Sequence, residues 1–398
     1  MARKIVTALD VGTSNIRLIA AAFEKSGEAP RILVTLEKES RGLHNGYITG
    51  FEEVADTIRE LVTEAQKRLG TKIRRVVLGV GGVTLSSSTA EGSTAISRAD
   101  QEVTDLDITR AIESSEAALK DAANREILQA VPLSYKLDGK KVLGRAIGLA
   151  GNQLEVKTLF VTILKQHSED LVHTVEAAGV QIEEIAAGPL AQNLVTLTKV
   201  QKMAGCVLVN IGAETLTVSV FEEGLPVSII AFPIGANAVT NDIALGLQVT
   251  LEEAEDIKTG RKQFTGNRKK LDEIIEARMT DMFELIGTHL KKIGRAGLLP
   301  AGVILTGGGA MIPGIEELAK ETLGLPARKV TEIPALFSIP TGPNKSETRK
   351  QLLPATWSLA YGLAILGSNL EREESAGIKK IVSSTRKNFL YWLKQLLP

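Results

Sequence analysis

Cysteine is almost absent: Cys206 is the single one in 398 residues. An internal disulfide is excluded, and the chain suits a reducing cytoplasm. Cys206 opens an apolar stretch, where a thiol reads as a buried structural group rather than a reactive one. Histidine is scarce as well, and its four copies are scattered, so no metal-ligand cluster forms in the sequence. Charge of either sign is not in excess, with 47 basic and 47 acidic residues. No whole-molecule field then attracts nucleic acid, and no nucleic-acid partner is expected. Long apolar runs are missing too. Nothing approaches the roughly twenty residues that span a bilayer, and the first residues, Met-Ala-Arg-Lys, lead straight into a strand without the apolar core of a signal peptide. What is present is ordinary for a globular protein, 44% hydrophobic and 24% charged, in a chain too long for one core.

Three glycine-bearing turns organise it. Residues 8–17 read Ala-Leu-Asp-Val-Gly-Thr-Ser-Asn-Ile-Arg, residues 206–215 read Cys-Val-Leu-Val-Asn-Ile-Gly-Ala-Glu-Thr, and residues 303–310 read Val-Ile-Leu-Thr-Gly-Gly-Gly-Ala. Each leaves an apolar strand through small residues. In the first two, a polar residue (Asp10, Asn210) stands two positions before the glycine and strand-like sequence resumes after it. Backbone N–H groups in such turns can approach an anion, which favours Gly with small hydroxyl neighbours. Thr13 and Ser14 add donors, Arg17 can reach a phosphate, and Asp10 can hold a hydrated Mg2+. Read singly, each turn is an ordinary hairpin or strand-to-helix connection. Together, in this order, they suit two facing hairpins that grip a nucleotide's phosphates, with residues 306–309 as a platform for adenosine.

The order of elements predicts an α/β chain of two similar halves with a cleft between them. Residues 1–83 and 162–202 make the first domain. Residues 84–161, rich in Ser, Thr and Gly at their start, make a small inserted α+β subdomain. Residues 203–248 and 296–350 make the second domain, with 249–295 as its outer part. Residues 339–348 read as a Pro/Gly/Lys loop, 351–370 as a helix returning to the first domain, and 371–398 as a linker and tail.

The three turns resemble the phosphate and adenosine motifs of the actin superfamily of ATPases. Within it, the chain is similar to the FtsA family of bacterial cell-division proteins. The narrower likeness lies in Ser40-Arg41-Gly42-Leu43-His44-Asn45-Gly46-Tyr47-Ile48, in residues 107–119, in Gly144-Arg145-Ala146-Ile147-Gly148-Leu149, and in residues 274–286 and 360–363. The resemblance implies an actin-like two-domain duplicated fold with a nucleotide cleft, an inserted subdomain called 1C, and ATP with Mg2+ as cofactors. It implies phosphate contacts from Gly12, Thr13, Ser14, Asn15 and Arg17, and an opposing hairpin of Gly212, Ala213, Glu214 and Thr215. Gly235 would lie at the next turn, Glu255 and Lys258 at the ribose and adenine edge, and Gly307, Gly308, Gly309 and Met311 around the adenosine. Glu255 and Lys258 also read as a solvated i,i+3 pair. Two departures stand out. Asn210 replaces the Asp of many relatives, and Ala213-Glu214 replaces a run of glycines. The connecting helix starts Ala187-Gly188-Pro189-Leu190, without the acid or amide that orients water. ATP binding with slow or negligible hydrolysis is therefore expected, the nucleotide favouring one arrangement of the two halves.

Residues 378–398 hold Lys379, Lys380, Arg386, Lys387 and Lys394 and no acid, while Ile381, Val382, Phe389, Trp392, Leu393 and Leu396 recur at helical spacing. This is a basic amphipathic helix suited to an anionic membrane face; a helix docked on the protein's own core is the other reading. The resemblance makes it the membrane-targeting helix at the cytoplasmic face of the inner membrane. Residues 258–270 hold six basic residues and no acid. That is a solvated face or, by the resemblance, part of the surface for the C-terminal peptide of FtsZ, with Lys270, Ile274 and Arg278 on one stripe. The resemblance also implies filaments and other divisome proteins docking on subdomain 1C. A PilM-like type IV pilus assembly protein and an actin-superfamily small-molecule kinase are the alternatives; no general base for a kinase is evident.

Overall fold

The computed structural model describes residues 4–23, 29–120, 122–342 and 345–375. The chain opens with an antiparallel meander, β1 (Lys4–Val11), β2 (Asn15–Phe23) and β3 (Arg31–Glu39), then a short hairpin, β4 (Leu43–His44) and β5 (Tyr47–Ile48), helix α1 (Phe51–Leu69) and β6 (Arg75–Val80). Next come β7 (Ser86–Ala95), α2 (Asp105–Ala117), β8 (Arg125–Leu137), β9 (Lys140–Val142) and β10 (Gln153–Leu164), followed by α3 (Lys165–Ala177), β11 (Gln181–Ala187), α4 (Gly188–Thr196) and α5 (Lys199–Ala204). A second meander, β12 (Cys206–Ile211), β13 (Leu216–Glu222) and β14 (Leu225–Phe232), leads to α6 (Ala236–Leu247), α7 (Leu251–Thr259) and α8 (Arg268–Lys292). The chain continues with β15 (Val303–Thr306), a 3-10 turn at Gly308–Met311, α9 (Ile315–Leu323), β16 (Ala327–Lys329), β17 (Glu332–Gly342), β18 (Lys345–Pro354) and α10 (Ser358–Ser375).

Two sheets result. The first has the order β11-β6-β1-β2-β3-β17-β18, the second β16-β15-β12-β13-β14-β7-β10-β8-β9. In each, the opening hairpin is antiparallel (β1 with β2, β12 with β13), and the first strand has a parallel neighbour on its other side, β6 or β15. This is the duplication expected from the two similar openings. The single Cys206 is buried in β12.

Helix α1 shows why the elements form. Val54, Ile58, Leu61, Val62 and Ala65 give one apolar stripe, Glu52 and Glu53 sit at its positive end, Lys67 and Arg68 at its negative end, and Gly70 closes it in the left-handed conformation. The stripe packs with α3 residues Leu171 and Val175 on one face of the first sheet. On the other face, Leu190 and Ala191 of α4 and Ala360, Leu363 and Ala364 of α10 share a continuous core with Cys206, Leu208 and Phe221 of the second sheet. Helices α4 and α10 are thus the packed layer joining the lobes. Against the far face of the second sheet lie α6, α8 and α9.

Within the expected loop 339–348, the described residues 339–342 and 345–348 are paired strand: Ile339 faces Glu347 and Pro340 faces Ser346 in the β17–β18 hairpin. Pro340 and Gly342 fall where β17 has left its other neighbour, β3, and where the register shifts, so a missing ladder N–H is tolerated. This hairpin also moves a boundary. Residues 332–354 join the first sheet rather than staying with 296–350 in the second lobe, and the returning helix begins at Ser358 rather than 351. Ile333, Ala335 and Leu353 are buried in the inter-lobe core, which fixes that choice. Within the insertion, β7 continues the second sheet beside β14 through the pair Ile230–Ser86.

Candidate functional site

The two hairpin turns face one cavity of about 1190 Å3 between the lobes. Their backbone is the same. Gly12 N–H donates to Asn15 O at 3.1 Å, and Gly212 N–H donates to Thr215 O at 2.8 Å. A β-carbon on Gly12 would clash, 2.9 Å from Asn15 O, and one on Gly212 would make a tight contact, 3.1 Å from Thr215 O. Asp10, Gly12, Thr13, Ser14, Asn15 and Arg17 line the cavity from the first lobe. Asn210, Gly212, Ala213 and Thr215 line it from the second.

Arg17 does not point freely at this space. Its Nε donates to Glu37 Oε2 at 3.1 Å and its Nη2 to Glu37 Oε1 at 3.3 Å, and its guanidinium lies 5.8 Å from the Trp357 ring centroid. Asn15 Nδ2 donates to the same Glu37 at 2.6 Å, and Ser14 Oγ donates to Asn15 Oδ1 at 2.7 Å. Asp10 is buried, and that burial pushes its carboxyl up to about 6, with Arg17 pulling it down and Glu37 raising it. A cation nearby would relieve this penalty, so the residue fits a hydrated Mg2+. Among the described residues no group of three or more His, Cys, Asp or Glu side chains could hold a metal. Mg2+ would therefore take its other ligands from water and phosphate, with the neutral Asn210 opposite.

Glu255 and Lys258 are no solvated pair. Lys258 Nζ donates to Glu255 Oε2 at 2.6 Å, Thr240 Oγ1 at 2.8 Å and Ala236 O at 3.1 Å, and Thr240 Oγ1 donates to Glu255 Oε2 at 2.6 Å. Burial would raise the Glu255 carboxyl, but the bonds from Lys258 and Thr240 outweigh it and hold the group below its usual range. Both residues line the cavity, as do Gly307, Gly308, Gly309 and Met311.

Two expected residues are placed differently. Glu214 is not part of the cavity lining; its carboxylate reaches the other lobe and accepts the Asn45 N–H at 2.6 Å. Gly235 is not in the lining either. It caps α6 beneath the second turn, where a β-carbon would lie 2.5 Å from Ala213 O.

The cavity holds features the sequence did not announce. Gln192 of α4 lines it, with Nε2 donating to Ser358 Oγ at 2.8 Å. The connecting helix does carry an amide at the cleft, one turn beyond the Gly188-Pro189 start; the i+4 spacing from Gly188 was the available signal. The cavity lining also extends past Lys258 to Phe264, Leu271, Ile275 and Met279 of the α7–α8 region and to Ile315 and Leu318 of α9, with charged residues such as Arg268, Asp272, Glu276 and Glu317 among them.

Outside the cleft, Arg278 is bound to α6: its Nε donates to Asp242 Oδ2 at 2.5 Å and its Nη2 to Oδ1 at 3.0 Å, which raises its pKa further. Ile274 packs against Gly246 of α6, and Lys270 is exposed on the first turn of α8. Acids on flanking turns neutralise much of the basic run, with Arg261 on Asp256 at 2.8 Å and Lys262 on Glu253 at 2.6 Å. Lys380, Arg386, Lys387, Phe389, Trp392, Leu393 and Leu396 lie outside the described residues. Among the described residues no helix is long and apolar enough to cross a membrane.

Known proteins resemble this chain in sequence and in fold. The family profile for the cell division protein FtsA matches residues 207–342, and that for the SHS2 domain inserted in FtsA matches residues 82–162. The cell division protein FtsA of Pseudomonas aeruginosa is 29% identical over 347 residues, covering 82% of this chain and 82% of that protein. FtsA of Bacillus subtilis is 29% identical over 343 residues, covering 80% and 77%. Among solved structures, the PilM-PilN type IV pilus biogenesis complex aligns with TM-score 0.67 at 17% identity over 91% of this chain and 98% of that one. MreB5 of Spiroplasma citri bound to ADP aligns with TM-score 0.54 at 12% identity over 94% and 98%. These structural likenesses are likenesses of fold.

Proposed function

This chain belongs to the FtsA family, and on that premise we propose that it is an actin-like cell-division protein that binds ATP with Mg2+ between its lobes. The observation carrying this reading is the repeated turn. Gly12–Asn15 and Gly212–Thr215 form the same closed loop on two facing hairpins, and both loops line one cavity. Two such loops present backbone donors and the hydroxyls of Thr13 and Thr215 to a polyphosphate lying between them. Lys258 and Glu255 border the space for ribose and base, and Gly307–Gly309 offer a flat wall without side chains. Mg2+, when bound, would neutralise phosphate charge beside Asp10. With Asn210 opposite, only one anionic side chain is at hand for a metal-bound water, so hydrolysis is slow and the nucleotide acts as a conformational ligand.

On this reading the protein polymerises at the cytoplasmic face of the inner membrane, recruits other divisome proteins through the inserted subdomain, and tethers the FtsZ C-terminal peptide on α8 near Lys270, Ile274 and Arg278. The basic amphipathic tail holds it to anionic lipid, at about 1 kcal/mol per basic residue near the surface. The PilM reading rests on the same fold. It is set aside because the sequence relatives and both family profiles are those of FtsA. Co-sedimentation with anionic vesicles and a labelled FtsZ peptide, with and without Mg-ATP, tests the whole proposal. Pelleting of protein and peptide together is expected. A protein that stays in the supernatant with and without Mg-ATP, or that pellets without the peptide, contradicts it.

A further inference from the structure

We propose that Glu214 is a positioning residue that latches the two lobes together and ties their closure to the stance of the inserted subdomain. The latch stands on geometry alone; its response to nucleotide rests on the function proposed above.

Glu214 sits in the β12–β13 turn between Ala213 and Thr215, which line the cavity. An acid pointed inward there would repel phosphate. The side chain points outward instead and crosses to the β4–β5 hairpin of the first lobe. Glu214 Oε2 accepts the Asn45 backbone N–H at 2.6 Å and lies 3.2 Å from His44 Nδ1. Asn45 Nδ2 lies 3.0 Å from His44 Nε2 and, being a donor only, makes that nitrogen the acceptor, which leaves the ring hydrogen on Nδ1. Asn45 has φ 52°, the left-handed region that asparagine tolerates better than most residues.

The same hairpin grips the neck of the insertion. Asn45 O accepts the Val83 N–H at 3.2 Å, so one residue bonds the second lobe through its N–H and the insertion through its carbonyl. Gly46 O accepts from His167 Nε2 at 2.7 Å, and the other nitrogen of that ring lies 2.7 Å from Thr84 Oγ1. Tyr47 stacks on the His167 ring with centroids 4.7 Å apart. Gly46 and Gly82 touch without room for a side chain, since a β-carbon on Gly46 would lie 2.6 Å from Gly82 Cα.

The first strand of the insertion is fastened to the second lobe. Ser87 Oγ donates to Ile229 O at 3.0 Å and accepts the Ile229 N–H at 2.7 Å, beside the Ile230–Ser86 pair. The insertion therefore hangs from both lobes. Opening the cleft must break the Glu214 contact and either drag the neck or shear β7 from β14. The side chain of Glu214, at the tip of the second turn, is the source of the contact.

Hydrogen–deuterium exchange on the full chain tests this. In nucleotide-free protein, Glu214→Ala should speed exchange about tenfold in peptides holding Asn45 and Val83, the loss of one charge-assisted hydrogen bond, while β12 and β13 stay protected. Glu214→Gln keeps an oxygen acceptor for Asn45 and should restore most of that protection. Unchanged exchange at residues 42–48 and 82–86 in Glu214→Ala, or equal loss in Glu214→Gln, overturns the latch. With saturating Mg-ATP, exchange at residues 83–89 should change in the wild type and not in Glu214→Ala. The same change in both overturns the coupling. A wild type that takes up no nucleotide sinks the proposed function and the coupling with it, while the nucleotide-free comparison still decides the latch.

Discussion

Asn210 and Gly307 are in such close contact that a β-carbon on Gly307 would overlap the Asn210 Oδ1. It would also stand 2.5 Å from Ile211 O, and Gly307 has φ 89°. The adjoining Gly308 has no heavy atom within 4 Å of the corresponding position. Gly307→Ala should therefore lose about 2 kcal/mol or more of stability, and Gly308→Ala should stay within about 0.5 kcal/mol of wild type. Urea unfolding of the two variants checks this contrast.

Asn210 leaves Asp10 as the one carboxylate of the facing pair. Asn210→Asp should make nucleotide affinity more dependent on Mg2+, with about a tenfold larger ratio between Mg2+ and EDTA than in wild type. Titration of a fluorescent ATP analogue in both conditions measures the ratio.

Asp107 caps α2 in the insertion. Burial alone would raise its carboxyl, but it accepts from Thr104 N at 2.9 Å, Thr104 Oγ1 at 2.6 Å, Ser97 N at 3.0 Å and Ser97 Oγ at 2.8 Å, and these hold it at about 2. A depressed folded-state pKa stabilises above the unfolded value of 3.8 and is lost as pH falls through about 2. The contribution at neutral pH is on the order of 2 kcal/mol. Asp107→Asn should be less stable than wild type at pH 7, and the gap should narrow between pH 4 and pH 2, as seen by chemical unfolding across that range.

Arg278 ties α8 to Asp242 on α6. Arg278→Glu would face one acid with another and should lower the stability of the outer part of the second lobe by about 1–2 kcal/mol. Loss of FtsZ-peptide binding in that variant alone would not separate binding from folding. Lys270→Glu, on an exposed turn, should weaken the peptide in fluorescence anisotropy while leaving the melting temperature unchanged.

The tail prediction is simpler. If the tail is the lipid anchor of the proposed function, Trp392→Glu or removal of residues 388–398 should abolish pelleting with anionic vesicles and leave ATP affinity unchanged.

The duplicated hairpins were legible in the sequence because glycine turns on apolar strands report themselves locally. Helix α1 was legible for the same reason, through its 3.6-residue stripe. The β17–β18 hairpin was not: Pro340 and Gly342 signal a break, and it is pairing of Leu336 and Phe337 with β3, some three hundred positions earlier, that seats the hairpin in the first sheet. β11 was hidden because its alternation is interrupted by Glu183 and Glu184 at a register shift. At the cleft, residue types gave the lining on both turns but not side-chain direction. Glu214 was expected inside and points outward, while Gln192 was unannounced and lines the cavity. Such directions depend on partners from distant elements, His44 and Asn45 for the one and Ser358 for the other.

Isothermal titration calorimetry of the full chain with Mg-ATP tests the central claim most directly, run on the wild type and on Gly308→Asp, which places an acid against the adenosine wall at a position with open space. One nucleotide per chain should bind the wild type, and the variant should bind at least about tenfold more weakly with an unchanged melting temperature. No uptake by the wild type at millimolar nucleotide, or equal affinity in the two proteins, would contradict a nucleotide seated between the two turns.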